Sequence, residues 1–318
     1  MLAQPAAGMR AHGSRVAAIG LFLLLILVGG FVSIAGAAQA QHPAENGSRQ
    51  GYSPSGSGFI MYAISGTNQL IKFSTNTPGT IDSSMPVTGL QGGETLLGID
   101  FRLANGGLYG LGSTSRIYTI DLFTGAATAV GASGAFTLAG TSFGFDFIPT
   151  SDFIRITSDA DQNLRVNPNT GTLAATDSFL SYAMTDTNAG QNPNVVGSAY
   201  TNHHTGATTT TLFDIDSNLD VLAMQNPGNA GVLTTIGPLG VDTNDQVGFD
   251  MIRPTSSVNF AFASLTDTQS RLYSINLDTG AATLIGTIGG GGIVRGIALA
   301  PENPPATPTP TTAPTTAP

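Results

Sequence analysis

The sequence has no cysteine and no tryptophan among its 318 residues. The absence of cysteine excludes disulfides, thiolate metal sites, cysteine nucleophiles and lipid attachment at a cysteine. Charged residues make up only 10% of the chain, and Lys72 is its single lysine. Long surface helices are rich in lysine and glutamate, so this scarcity argues against a helical protein. The formal net charge of −9 excludes a basic nucleic-acid-binding surface.

The residues that are abundant indicate a folded β protein. Hydrophobic residues make up 41% of the sequence, which is enough for a sizeable core and argues against wholesale disorder. The 41 glycines and 18 prolines are typical of a chain with many turns. A single all-β domain of this length is ordinary.

Both ends of the sequence differ from its middle. Arg10 and Arg15, an apolar run over 16–34 and the small-residue site Ala38-Gln39-Ala40 predict a signal peptide over 1–40 and a secreted protein. The length of the apolar run leaves an uncleaved N-terminal membrane anchor as the alternative. A flexible leader is expected over 41–57, the folded domain over 58–301, and a disordered Pro/Thr-rich tail over 302–318.

The middle of the chain is a repeat. Each unit opens on a strand with glycine first and, in three copies, aspartate third; the copies are GIDF at 98–101, GFDF at 144–147 and GFDM at 248–251, with weaker copies GSAY at 197–200 and GIAL at 296–299. Two short strand-like runs, a turn with glycine and a third run follow each copy. Four short strands in each unit of roughly 50 residues are typical of β-propeller blades.

The ends of the repeat predict a closed ring. The first unit has no opening Gly-x-Asp strand, and the last opening strand, at 294–299, is followed only by the tail. Pairing 294–299 with 59–64 completes a fifth blade and leaves no exposed sheet edge there. The sequence therefore predicts an all-β, five-bladed β-propeller closed by its N- and C-terminal strands, with a six-bladed ring or an open two-sheet solenoid as alternatives.

The stretches LLGIDFRLANGGLYGLGSTSRIYTIDLFTGAATAVG, FGFDF, NPNVVGSAYTN and LYSINLDTGAATLIGTIG resemble a bacterial family of secreted β-propeller proteins, the domain of unknown function DUF4394. The resemblance covers about residues 59–300 and is most specific at 190–202. It implies a propeller fold and an exported protein. It implies no activity, so it assigns no catalytic residues.

The repeated aspartates have two interpretations. Asp100, Asp146 and Asp250 share a strand face with the glycine of their repeat. In the favoured, structural interpretation, each buried carboxylate accepts a hydrogen bond from a backbone N–H of the neighbouring blade. In the functional interpretation, the three carboxylates surround the axis as a cation site.

Propeller topology gathers most of the remaining acidic residues on one loop face. The loop 177–194 is unusually long, and we expect a binding surface formed by Asp186, Asn188, Asn192, Asn194, Asp242 and Asp245. Two segments with D-x-D-x-N spacing are candidate Ca²⁺ sites, namely Asp159, Asp161 and Asn163, and Asp214, Asp216 and Asn218. Asp and Asn are also ordinary turn residues, which is the favoured interpretation. His203 and His204 are expected at a hairpin tip rather than as chelating ligands.

No common catalytic motif is present: the sequence has no G-x-S-x-G, no H-E-x-x-H and no phosphate-binding loop. The sequence therefore favours a non-catalytic binding or scaffolding module, expected to be a monomer, with a carbohydrate, a peptide or a cell-surface partner. The alternative is a metal-dependent propeller hydrolase or lyase that uses the axial carboxylates. An enzyme predicts convergent carboxylates within reach of one pocket at the axial mouth, whereas a binder or scaffold predicts aspartates that engage in separate loop hydrogen bonds.

Overall fold

The computed structural model describes residues 58–254 and 258–301. The signal peptide expected over 1–40, the leader over 41–57 and the tail over 302–318 lie outside the described residues. Within the described ranges, no helix has the length and apolar character needed to cross a membrane.

The described chain forms twenty-one β-strands and one short 3₁₀ turn at Gly228–Ala230. The first eleven strands are β1 (Ile60–Ser65), β2 (Gln69–Ser74), β3 (Ile81–Pro86), β4 (Leu96–Phe101), β5 (Leu108–Gly112), β6 (Arg116–Ile120), β7 (Ala127–Val130), β8 (Phe143–Phe147), β9 (Ile154–Ser158), β10 (Asn163–Val166) and β11 (Leu173–Thr176). The remaining strands are β12 (Ser181–Tyr182), β13 (Val195–Tyr200), β14 (Leu212–Asp216), β15 (Val221–Gln225), β16 (Val232–Pro238), β17 (Gly248–Ile252), β18 (Phe260–Thr266), β19 (Ser270–Ile275), β20 (Ala282–Thr287) and β21 (Val294–Leu299).

These strands form five small sheets, which confirms the predicted five-bladed β-propeller. Blade 1 has the strand order β21-β1-β2-β3, and blade 2 has β4-β5-β6-β7. Blade 3 has β8-β9-β10-β11, blade 4 has β13-β14-β15-β16, and blade 5 has β17-β18-β19-β20. The first strand named in each blade contacts the first strands of both neighbouring blades, so these five innermost strands surround the axis.

The ring closes as the ends of the repeat predict. Strand β21 pairs antiparallel with β1, with Leu299 opposite Met61 and Gly296 opposite Ile64. Blade 1 is therefore built from both ends of the described chain, and no unpaired edge is left at the seam.

The loop expected over 177–194 is more ordered than the sequence suggests. Within it, β12 pairs in parallel with β16 and adds a fifth strand to the outer edge of blade 4. Two residues are too short a run for strand periodicity to be recognised in a sequence.

Four of the five interfaces between blades are apolar. Large clusters of buried hydrophobic side chains join blades 1 and 2, blades 2 and 3, blades 4 and 5, and blades 5 and 1. The interface of blades 3 and 4 differs, because it buries Arg155, Asn163, Asp214 and Thr157. A polar interface depends on hydrogen bonds for its stability, since unpaired polar groups are costly to bury.

Glycine is required where the innermost strands approach the axis. The first glycine of each repeat, at 98, 144, 197, 248 and 296, faces the innermost strand of the next blade. A Cβ atom at Gly248 would lie 2.7 Å from the backbone nitrogen of Ile297, and one at Gly296 would lie 3.0 Å from Cα of Gly98. We call the constriction of the axis that these five glycines surround the waist. The void there is only about 10 Å³, which is room for about one water molecule. The glycines thus allow the innermost strands to pack so closely that they block the axis at this level.

Candidate functional site: the propeller axis and its mouth

Three carboxylates and one imidazole meet on the axis. One carboxylate oxygen of each of Asp100, Asp146 and Asp250 and one ring nitrogen of His203 all lie within 4.8 Å of one another. We call these four residues the axial cluster. The aspartates are 1–2% exposed and His203 is 7% exposed, so the cluster is enclosed by protein. Among the described residues, no other group of three or more Asp, Glu or His side chains converges in this way.

The position of the aspartates follows from the repeat. Each lies two residues after the glycine of its innermost strand, so both face the next blade. Each carboxylate accepts a backbone N–H from the innermost strand of that blade; the pairs are Asp100 with Phe147 (2.8 Å), Asp146 with Tyr200 (2.5 Å) and Asp250 with Leu299 (2.5 Å). These bonds match the structural interpretation of the three aspartates. They also hold the three carboxylates together around the axis.

The axial carboxylates experience opposing electrostatic effects. Burial and repulsion by a neighbouring axial carboxylate raise the pKa values of Asp100 and Asp250 well above the ordinary range. Burial raises the pKa of Asp146 to about 8. The backbone N–H donors act in the opposite direction, because they stabilise the charged form. The cluster is thus arranged to accept hydrogen bonds as carboxylates while its burial disfavours three negative charges.

His203 was not expected at this place. The segment 202–206 does lie in the connection between β13 and β14, as the hairpin prediction requires, but the ring of His203 is buried beside the carboxylates. Asn202 has a φ of 60°, a left-handed conformation that redirects the chain immediately before His203. Burial lowers the pKa of His203 to about 4, so the ring is neutral at pH 7. Its Nε2 atom has no hydrogen-bond partner, and neither has Oδ1 of Asp146.

A cavity of about 410 Å³ opens above the axial cluster, and we call it the mouth cavity. Its lining includes Phe101, Arg102, His203, His204, Arg253 and Leu299, which lie at or just beyond the ends of the innermost strands. The axial aspartates do not line it. His203 belongs to both the cavity wall and the axial cluster.

The two arginines of the mouth cavity have different partners. Arg102 is paired with a carboxylate: its Nε donates to Oδ1 of Asp152 at 2.9 Å, and its Nη2 donates to Oδ2. Nη1 of Arg253 contacts an amide and an imidazole rather than a carboxylate, donating to Oδ1 of Asn202 at 2.8 Å and lying 3.2 Å from Nε2 of His204. Within the described ranges, Arg253 forms no ion pair. A half-buried guanidinium at the cavity wall therefore remains available to an anion.

The acidic loop face is held together by its own hydrogen bonds. Asp186 accepts from the backbone N–H (2.7 Å) and the hydroxyl (2.7 Å) of Thr235, and Nδ2 of Asn188 also bonds that hydroxyl. Nδ2 of Asn194 donates to Oδ1 of Asp245 at 2.9 Å. The other two residues expected there differ: Asn192 donates to its neighbour's carbonyl, and Asp242 is exposed.

The two D-x-D-x-N segments direct their side chains into separate networks. Asp159 accepts from the backbone and hydroxyl of Thr141, and Oδ1 of Asn163 accepts from Arg155. In the second segment, Asp214 accepts from Ser198 and Asp216 from Tyr182. Asn218 is exposed and donates its backbone N–H to Asp216. Asp161 Oδ1 and Asp214 Oδ2 are buried without a hydrogen-bond partner.

Sequence reasoning identified the axial aspartates but not His203 or Arg253. The sequence contained one signal for His203. Blade 4 has Ala199 in place of the repeated aspartate, and His203 lies four residues after it. No comparable signal existed for Arg253. Whether this arginine is free to bind an anion depends on which acceptors surround it in the folded chain.

Comparison with known proteins places this architecture in a family. Residues 69–298 match the family described as "Domain of unknown function (DUF4394)". The chain belongs to the DUF4394 family. The resemblance found in the sequence is thereby confirmed. No curated protein has a sequence that matches this DUF4394 protein.

Several solved structures are similar to the DUF4394 propeller, all at low identity. A chain of the nidogen/laminin complex is 13% identical, with a TM-score of 0.45, and the match covers 77% of this chain and 99% of that one. Myxococcus xanthus glutaminyl cyclase is 11% identical, with a TM-score of 0.44 and coverage of 69% and 83%. The dihydro-heme d1 dehydrogenase NirN in complex with DHE is 12% identical, with a TM-score of 0.36. That match covers 74% of this chain but only 44% of the dehydrogenase chain.

Proposed function

We propose that this protein is a non-catalytic binding propeller whose mouth cavity takes a small ligand bearing a carboxylate. The observation that carries the proposal is Arg253, a half-buried cation whose side-chain contacts among the described residues are with Asn202 and His204 and not with a carboxylate. Charge-assisted hydrogen bonds from arginine to a carboxylate are among the stronger polar contacts in proteins. The cavity volume of about 410 Å³ suits a sugar or a short peptide segment.

The enclosure of the axial cluster supports binding over catalysis. A catalytic metal or carboxylate centre needs a position open to substrate. Asp100, Asp146 and Asp250 are 1–2% exposed and do not line the mouth cavity. The metal-dependent hydrolase or lyase that the sequence left open would need these groups to be reached from the cavity.

We assign the ligand to the mouth cavity rather than to the acidic loop face. On that face, Asp186, Asn194 and Asp245 are engaged with other protein groups, so binding a ligand there would first require those bonds to break. At the mouth, Arg253 has no ion pair with any described residue, so binding an anion there breaks none. Export, which the N-terminal sequence predicts, would bring this cavity to extracellular carbohydrates and peptides.

Calorimetric titration of the full chain with three probes tests the proposal. Galacturonate and a diglutamate peptide carry the carboxylate on a sugar and on a peptide, respectively, and galactose is the neutral match for galacturonate. We expect a carboxylate probe to bind and Arg253→Gln to weaken that binding at least tenfold, which corresponds to about 1.4 kcal/mol. Arg271→Gln is the matched control, because it removes an arginine that is paired with Asp267 outside the cavity.

The same titrations also give the results that would refute the proposed carboxylate site. Galactose binding as well as galacturonate would show that the carboxylate is not recognised. Equal affinities of Arg253→Gln and Arg271→Gln would remove Arg253 from the site. Absence of binding by both acidic probes would refute the proposed ligand class.

A further inference from the structure

The axial cluster contains two buried polar atoms that the protein leaves without a partner. Nε2 of His203 accepts or donates no hydrogen bond, although the residue is only 7% exposed. Oδ1 of Asp146 is likewise unpartnered in a residue that is 2% exposed. A buried polar atom without a partner is destabilising, so each needs a compensating contact. A bound ion on the axis would supply that contact to both atoms.

The ionised form of the axial cluster also requires charge compensation. None of the ion pairs in the described parts of the chain involves Asp100, Asp146 or Asp250. Backbone N–H groups donate to all three carboxylates, an arrangement that suits their charged forms. When all three are ionised, carboxylates this close and this deeply buried repel one another strongly unless a positive charge is present. A divalent cation among them would remove most of that repulsion.

The chemistry of the donors selects the class of cation. Ca²⁺ binds six to eight oxygen atoms and does not favour imidazole. Three carboxylates with one neutral imidazole suit a divalent transition metal, and a closed four-ligand arrangement is typical of structural Zn²⁺. This set is distinct from the D-x-D-x-N segments in which the sequence suggested calcium.

We propose that Asp100, Asp146, Asp250 and His203 together bind one divalent transition-metal ion of the Zn²⁺ class on the propeller axis. Each aspartate also bonds the next blade, and His203 belongs to the wall of the mouth cavity. The ion would therefore link blades 2, 3, 4 and 5 at the point where their innermost strands meet. Its role is structural, and the proposal stands whether or not the mouth cavity takes a carboxylate.

The test measures metal content and metal-dependent stability of the full chain. Mass spectrometry of the purified protein should find one transition-metal ion per chain. Treatment with a chelator should lower the melting temperature, and Zn²⁺ or Co²⁺ should restore it; bound Co²⁺ should also show visible d–d absorbance. Asp146→Asn keeps an oxygen to accept the Tyr200 N–H but removes a charge, and it should bind Zn²⁺ at least a hundredfold more weakly. Asp82→Asn, on an exposed position of β3, is the matched control.

Each of the remaining outcomes would overturn the proposal. A chain that contains no metal, and whose melting temperature does not respond to Zn²⁺, Co²⁺ or Mn²⁺, would show that protons neutralise the cluster. A response to Ca²⁺ alone would refute the class of ion. Equal Zn²⁺ affinities of Asp146→Asn and Asp82→Asn would place the ion elsewhere. If Asp146→Asn fails to fold, chelation and restoration of the unmodified chain still decide between these outcomes.

Discussion

The polar interface between blades 3 and 4 should depend on one buried cation, Arg155. Its side chain is 1% exposed and extends from β9 to groups in both blades. Nε donates to the hydroxyl of Tyr200 at 3.0 Å, and Nη2 donates to Oδ1 of Asn229 at 2.6 Å. Nη1 donates to Asn163 at 2.7 Å and to Asp177 at 2.6 Å. We therefore predict that Arg155→Met, which keeps most of the side-chain length, is strongly destabilising.

The magnitude follows from what the substitution leaves behind. Removing one partner of a buried ion pair costs about 3–5 kcal/mol, because the remaining charge is uncompensated. Asp177 keeps its second partner, Arg165, at 2.8 Å, which reduces that part of the loss. The neutral oxygens that lose a donor add about 1–3 kcal/mol each. We therefore expect a loss of at least about 4 kcal/mol, a large part of the 5–15 kcal/mol that is typical of native proteins.

Urea unfolding followed by intrinsic tyrosine fluorescence measures this loss as a fall in the denaturation midpoint. The matched control is Arg271→Met, whose partner Asp267 is exposed, and which should cost at most about 1 kcal/mol. If Arg155→Met stays within about 1 kcal/mol of the unmodified chain, the network does not stabilise the interface. The reasoning would then be wrong.

The ion pair of Arg155 with Asp177 should make the stability lost in Arg155→Met depend on pH. Burial alone would raise the pKa of Asp177, but hydrogen bonds and charge from Arg165 and Arg155 outweigh it and hold the pKa below its ordinary value. A depressed folded-state pKa contributes stability that is present above the unfolded value of about 3.9 and is lost as the pH falls through the folded value. The difference between Arg155→Met and the unmodified chain should therefore shrink below about pH 4.

Two further substitutions test the waist and a buried carboxyl. Gly248→Ala places a Cβ 2.7 Å from the backbone of Ile297 and should lower the stability measured by thermal unfolding by about 1–3 kcal/mol. The control Gly92→Ala, whose Cβ would have no atom within 4 Å, should lose almost no stability. Equal melting temperatures of the two variants would contradict this prediction. Burial raises the pKa of Asp214 to about 7, so its folded-state penalty is absent below about pH 4 and complete above about pH 7. Relative to the unmodified chain, Asp214→Asn should gain up to about 4 kcal/mol in urea unfolding between pH 4 and pH 8, and a pH-independent difference would refute the assignment.

The fold was predictable because its determinants are local and repeated. Glycine and aspartate two residues apart on an innermost strand mark the position of closest approach, and the incomplete first and last units predict the seam between β1 and β21. The direction of Asp100, Asp146 and Asp250 toward the next blade follows from strand alternation alone. Each of these inferences needs only the repeat and the period of a β-strand.

The parts that could not be predicted depend on contacts between distant segments. Arg155 lies in a strand whose sequence gives no sign that its interface is polar. Its partners come from two other strands, β10 and β13, and from the β11–β12 and β15–β16 connections. Arg253 becomes a candidate binding group only because Asn202 and His204, rather than a carboxylate, lie beside it. Such information resides in the tertiary arrangement and not in the period of the repeat.

The departures from the repeat give the axial cluster its donor set. Blades 4 and 1 have Ala199 and Ala298 where the other three have aspartate. Five aspartates there would bring five buried carboxylates together, a charge that one divalent ion could not balance. With three ionised aspartates, an ion of charge +2 leaves little excess negative charge. Blade 4 lacks the carboxylate and instead contributes His203, from the connection that follows its innermost strand. The exceptions thus limit the buried charge and supply the nitrogen ligand that favours a transition metal over calcium.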